Sequence, residues 1–142
     1  MAISITGEMR QKITDALADG FPCFVGTASA DGKPQISMRG SVAVYDSETL
    51  CWWERGMRSS VDNIDENPQV VIFYRNSAER IHWRFHGSVT LHASGTERER
   101  AMGLTPKPEL DRDPERTGVA ALVRVESVTE LSGNVLQEAD GG

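Results

Sequence analysis

The sequence predicts a mainly β fold, a small six-stranded antiparallel barrel with short flanking helices. Six segments of apolar or alternating character recur along the 142 residues, and most are joined by hairpin-length turns. Only two or three short helical patterns lie between them, too few for the crossovers of a parallel sheet. The longest of the six is interrupted at Gly87, the kind of break at which barrel strands bend. The length fits one domain, read here as residues 1–134, followed by a flexible tail over 135–142.

The elements follow in chain order. Residues 6–19 place Met9, Ile13, Ala16 and Leu17 at helical spacing after Thr6, a suitable N-cap, with Gly20 as the stop. Asp31-Gly32 marks a hairpin between strands at about 22–29 and 33–45. In the second of these, Ile36, Met38, Val42 and Val44 would share one face, and Gln35, Ser37, Arg39 and Ser41 the other. A third strand covers 49–54, and the polar stretch 55–68 reads as a short helix stopped by Asn67-Pro68. Residues 69–75 form an apolar run suited to a strand covered on both sides. In residues 80–93, Ile81, Trp83, Phe85, Val89 and Leu91 alternate with His82, Arg84, His86, Ser88, Thr90 and His92. A short charged helix is expected over 94–103, a surface loop over 104–117, and a last strand over 118–131 with a phase slip near Glu126-Ser127.

Hydrophobic residues make up 39% and charged residues 25%, ordinary for a globular chain. The net charge of -6 argues against general nucleic-acid binding, which needs excess positive charge. Cys23 and Cys51 have no metal-ligand or C-x-x-C spacing, so the chain reads as reduced and cytoplasmic. No apolar run approaches the length of a membrane span, and the N-terminus lacks the pattern of a signal peptide.

Two groups of residues could carry chemistry. Ser37 and Arg39 share the polar face of one strand, and Arg55, Arg58, Ser59, Ser60 and Asn63 gather at the start of the short helix. Free backbone N–H groups at a helix start and the rigid fork of arginine together suit a phosphomonoester. A solvated turn with a serine cap has the same composition. No glycine-rich P-loop or G-x-G-x-x-G is present, which excludes those nucleotide sites. The second group is His82, His86 and His92 on one strand face. Residues four apart in a strand lie roughly 13 Å apart, too far to share one metal ion, so no metal site is expected. Of the adjacent pair Trp52 and Trp53, one faces in and one out.

The strand pair CFVGTASADGKPQISMRGSVAVY, the stretch LCWWERGMRSSVDNIDENPQVVIFY and the strand IHWRFHGSVTLHAS give an element order that resembles the pyridoxamine 5'-phosphate oxidase-like family of FMN-binding split barrels. The resemblance spans about residues 6–131, and its most specific piece is SSVDNIDENPQVVIFY. It implies a homodimer with FMN in clefts between the subunits. Carried over position by position, Ser37, Met38, Arg39 and Gly40 match the strand beside the flavin. Trp53 and Glu54 match the strand end before the phosphate loop, and Arg58, Ser59, Ser60 and Asn63 match the phosphate-binding turn and helix start. Many relatives place a lysine two residues after a serine in that turn. Here those positions are Ser60 and Arg58. After the last strand only SGNVLQEADGG remains, where true pyridoxamine phosphate oxidases carry an arginine- and histidine-bearing segment. The resemblance therefore implies an FMN-dependent oxidoreductase of another small molecule, possible NAD(P)H as donor, rather than vitamin B6 oxidation. The alternatives are a non-catalytic flavin-binding or sensing module, and an F420- or haem-binding split barrel in which His82 or His86 would hold the iron.

Overall fold

The computed structural model describes residues 2–55 and 59–140, with backbone only for Ser59 and Ser60. Among the described residues the elements are α1 (Gly7–Asp15), β1 (Cys23–Ala28), β2 (Pro34–Arg39), β3 (Ala43–Asp46), β4 (Thr49–Glu54), α2 (Ser59–Glu66), β5 (Gln69–Asn76), β6 (Ile81–His92), α3 (Thr96–Leu104), α4 (Lys107–Leu110), β7 (Val119–Thr129) and β8 (Val135–Glu138). Every strand pairing is antiparallel. The order across the sheet is β2-β1-β5-β6-β7-β4-β3, with β8 also on β7. The two edge strands, β2 and β3, follow each other in the chain. Residues 40–42 therefore carry it from one edge of the curled sheet to the other, and no ladder joins the two edges. This is a split barrel.

Inside it lies the main core, with Ile5, Val25, Leu50, Trp52, Ile72, Tyr74, Phe85, Val123 and Val128 among its members. Each strand contributes every second residue, as the pleat requires. A second, smaller cluster sits on the outside of β4 and β7, where Ala43, Cys51, Trp53 and Ala120 pack against Ala101 of α3.

The antiparallel barrel follows the sequence reading, with eight strands in place of six. The strand expected over 33–45 is two strands. Gly40 interrupts it, and a Cβ there would stand 2.9 Å from the Glu109 carboxyl and 3.1 Å from Leu17 Cδ1. The break divides the expected apolar face. Val42 and Val44 are buried, whereas Ile36 and Met38 are 69% and 63% exposed on the outside of β2. The tail expected to be flexible contains β8, whose Gln137 is tied to both the backbone N–H and the carbonyl of Ser4. The run over 69–75 alternates instead of being covered on both sides: Val70, Ile72 and Tyr74 are buried, while Val71 and Phe73 are half-buried. The first helix stops at Asp15 rather than 19, because the chain turns through residues 16–20 to Gly20 at φ 83.

The break at Gly87 has a partner. The register between β6 and β7 shifts at His86/Gly87, so that Glu126 is the additional residue, on β7. A Cβ on Gly87 would stand 2.2 Å from the carbonyl oxygen of Arg124. Neither backbone can retreat without parting the two longest strands.

The stretch 104–117 is no simple surface loop. It carries α4 and folds back so that Asp113 is buried. The Asp113 carboxylate accepts hydrogen bonds from Trp53 Nε1 (2.9 Å), Thr117 N (2.9 Å), Thr117 Oγ1 (3.0 Å) and Gly118 N (2.8 Å). The Arg98 guanidinium lies 4.9 Å from the centre of a Trp53 ring and donates to the carbonyls of Arg116 and Gly118. Residues 96–118 thus strap Trp53 down from outside the barrel.

Two outcomes follow from this packing. Gly87→Ala is expected to lower unfolding stability in urea by about 3 kcal/mol, the upper end for overpacking. The control Gly103→Ala, in α3 with open space around its Cβ position, is expected to cost nothing or to stabilise by about 1 kcal/mol. For Asp113, burial pushes the carboxyl up, but its hydrogen bonds outweigh that and hold it down at about 2 against an ordinary 3.8. The unfolded chain takes up this proton first, so the contribution is complete above pH ~4 and is lost as pH falls towards about 2. Acid titration of Asp113→Asn should show a shallower decline across that window than the unmodified chain. Equal slopes would remove Asp113 from the acid response.

Candidate functional site

The seam where β2 and β4 end side by side holds a polar cluster inside the barrel. Alternation along β4 turns Leu50, Trp52 and Glu54 inward together. Glu54 is 0% exposed. Its Oε2 accepts from Arg39 Nη1 at 2.9 Å, and its Oε1 accepts from Trp52 Nε1 at 3.1 Å. Alternation along β2 turns Ser37 and Arg39 to the same interior, opposite Val25 and Cys23 of β1. Arg39 Nε donates to Ser37 Oγ at 3.0 Å, and its guanidinium carbon lies 6.0 Å from the centre of a Trp52 ring. The Arg39 side chain remains 17% exposed, so the buried Glu54 is gripped by a guanidinium that reaches the surface. Two residues after Arg39, Ser41 Oγ donates to the Trp53 carbonyl (3.2 Å) and accepts from the Trp53 N–H (3.0 Å). The Arg39–Glu54 pair thus joins the ends of β2 and β4, and Ser41 extends the β3–β4 pairing.

The sequence-derived residues separate into several places. Ser37, Arg39 and Glu54 form one contact cluster. Gly40 is the tight turn beside it. Met38 points to the opposite, outer face of β2. Trp53 lies on the other side of β4 from Glu54, under the strap of residues 96–118. Asn63 Nδ2 donates to Thr27 Oγ1 at 3.2 Å, which fastens α2 to β1. A second tie runs from the Ala30 N–H to Glu66 at 3.1 Å. Ser59 and Ser60 open α2, shortly after Glu54 in the chain, and Arg58 lies outside the described residues. Sequence reasoning missed Trp52 as a partner of Glu54, although two-residue spacing on a strand places them on one face. It also missed Ser41 and Asp113, whose partners are remote in sequence.

The outside of β1, β2 and β5 forms an open groove of about 560 Å³, with Gly26, Ala28, Ile36, Val71, Gln69 and His86 among its lining. A Cβ on Gly26 would stand 2.9 Å from Val71 Cγ1, so the glycine leaves the floor flat. Burial first, and then the charge of Arg84, lowers the pKa of His86, which keeps it neutral at pH 7. The other two histidines have local partners: His82 stacks on Phe73 at 6.5 Å, and His92 bonds Thr90 at 2.9 Å. Among the described residues no helix is long and apolar enough to cross a membrane.

A family model described as pyridoxamine 5'-phosphate oxidase matches residues 9–128. Similar solved structures include HupZ from Group A Streptococcus, 22% identical, TM-score 0.68, covering 88% of this chain and 95% of that one. An FMN-binding protein from Syntrophomonas wolfei subsp. wolfei is 10% identical with a TM-score of 0.71, covering 87% and 86%. A structure named F420 reductase is 20% identical with a TM-score of 0.61, covering 87% and 98%. At these identities the likeness carries the fold. No curated protein matches the sequence. The family match takes in every strand of the barrel but the eighth, and both walls of the seam cluster: the chain belongs to the pyridoxamine 5'-phosphate oxidase family.

Proposed function

We propose that the chain is an FMN-binding flavoprotein that acts as a homodimer and carries out oxidation or reduction of a small molecule. The observation that carries the reading is the Ser37–Arg39–Glu54 cluster at the ends of β2 and β4, immediately before α2, in a chain of this family. Its chemistry fits a flavin. Arg39 offers a fixed donor at the mouth of the seam. The start of α2 offers backbone N–H groups for a phosphate, with Arg58, Ser59 and Ser60 around it in sequence. The exposed outer face of β2 offers apolar surface at the same edge. A bound flavin supplies the hydride chemistry, and the protein supplies binding and orientation. A deazaflavin of the F420 type is the second reading, supported by the likeness to the structure named F420 reductase. Cys23 and Cys51 are unpaired and buried, which fits the reducing cytoplasm.

The dimer reading rests on β2. It is an edge strand, and Ile36 and Met38 stand 69% and 63% exposed beside the groove. Exposed apolar residues on an unpaired edge are ordinarily covered by another chain. Met38→Asp is expected to halve the mass measured by light scattering at micromolar concentration and to reduce flavin retention. A monomeric unmodified chain would count against a cleft shared by two subunits.

An absorbance scan before and after adding FMN and removing the excess tests the cofactor. Retained flavin bands support the reading, and bleaching by NAD(P)H separates an oxidoreductase from a passive flavin carrier. Arg58→Ala is expected to weaken FMN about tenfold, the worth of a charge-assisted phosphate contact, while leaving riboflavin binding unchanged. An FMN dissociation constant shifted by less than about twofold would remove Arg58 from the phosphate site.

A further inference from the structure

We propose that Asp113 is a positioning residue for the seam: it stiffens residues 109–118 as a brace across both walls and so sets how far apart the ends of β2 and β4 stand. As far as a ligand is concerned, this rests on the flavin-binding reading. The two ends of the brace land on the two walls. At one end, the Glu109 carboxyl lies against Gly40, the residue after Arg39, and fills space that a Cβ there would need, at 2.9 Å. At the other end, Gly118 lies against β4. A Cβ on Gly118 would stand 2.7 Å from the Glu54 carbonyl oxygen and 2.7 Å from Trp53 Nε1. One short piece of chain thus abuts the neighbour of Arg39 and the backbone of Glu54.

Asp113 stands between these two landings. Its carboxylate is buried and takes four hydrogen bonds from three residues, Trp53, Thr117 and Gly118. Stripping a buried carboxylate of its donors is costly, so this piece of chain keeps one shape. Arg98 of α3 anchors it further through the carbonyls of Arg116 and Gly118. The contacts close a circuit. It runs from the Trp53 indole through Asp113 and α4 to Glu109, across to Gly40, and back from Ser41 to the Trp53 backbone. Residues enclosed by such a circuit have one spacing. A ligand that reaches both walls then binds without having to order them first. Asp113 itself touches no ligand and acts through Trp53.

Asp113→Asn in the full chain is the test. Either orientation of the amide turns an NH2 group towards donors that the carboxylate accepted from, so the brace loosens while the side chain keeps its size. In fluorescence titrations FMN and riboflavin are expected to weaken together, about tenfold, because the spacing serves the whole flavin. Hydrogen exchange in the flavin-free chain gives a second readout. The Trp53 amide donates to Ser41 Oγ and not to Asp113. Its exchange is expected to speed up about tenfold while the β5–β6 ladder is unchanged. Gly87→Ala, which strains β6 against Arg124 of β7, is the control for lost stability alone. It is expected to change flavin affinity by less than about twofold. The inference is overturned if Asp113→Asn leaves flavin affinity within about twofold, if exchange rises alike over the whole sheet, or if Gly87→Ala weakens the flavins as much. Should Asp113→Asn fail to fold, Thr117→Val removes one donor at an exposed position and is judged by the same criteria, with about a threefold effect expected. If the unmodified chain binds neither flavin, the flavin reading is refuted, and exchange at Trp53 alone decides the brace.

Discussion

A carboxylate sealed from water has to be satisfied by its neighbours, and at Glu54 that requirement organises the open side of the barrel. Leaving such a group without a partner costs several kcal/mol in a folded protein. Arg39 and Trp52 meet the requirement from two directions. In doing so they pin the end of β2 to the end of β4, strands that share no ladder. Two residues past Arg39, Ser41 continues the β3–β4 pairing beyond Ala43 and Cys51, using a single hydroxyl as donor and acceptor to the Trp53 backbone. The barrel is therefore closed at its seam by side chains.

The two faces of β4 divide the work. The inner face carries Trp52 and Glu54 into the core and the seam. The outer face carries Cys51 and Trp53 into a separate cluster, and the strap of residues 96–118 fixes that cluster through Asp113 and Arg98. Adjacent tryptophans are thus both buried, though they point in opposite directions. Strapping β4 from outside holds the strand that presents Glu54, so packing far from the seam supports the geometry within it.

Much of this was legible in the residues, and the remainder was hidden for physical reasons. Strand alternation put Ser37 and Arg39 on one face, and Gly87 and Glu126 each marked the bulge from its own strand. The division of the 33–45 strand was not legible, because what forces it is the approach of Glu109 and Leu17 to Gly40. Neither residue is near Gly40 in sequence. Asp113 looked like one more charge in a proline-bearing loop because its indole partner lies 60 positions upstream. The ion pair of Arg39 with Glu54 is non-local in the same way. Period-two patterns report which face a residue takes, and they say nothing about which residue waits there from another strand. Residues 135–138 were too short a run to stand out from a polar tail, and they become a strand by pairing with β7.

The strand order also has a bearing on how the chain comes off the ribosome. β1, β2, β5 and β6 can pair among themselves as soon as they emerge. Among the described residues, the β3–β4 hairpin pairs with the rest of the sheet through β7 alone, where Trp53 meets Ala120 and Glu54 meets Val119. Until that late strand is synthesised, the nascent protein holds two pieces of sheet joined by two stretches of chain, residues 40–42 and 55–68. Closure must await the arrival of β7, and pairing across such separations is the slow, chaperone-exposed kind of folding.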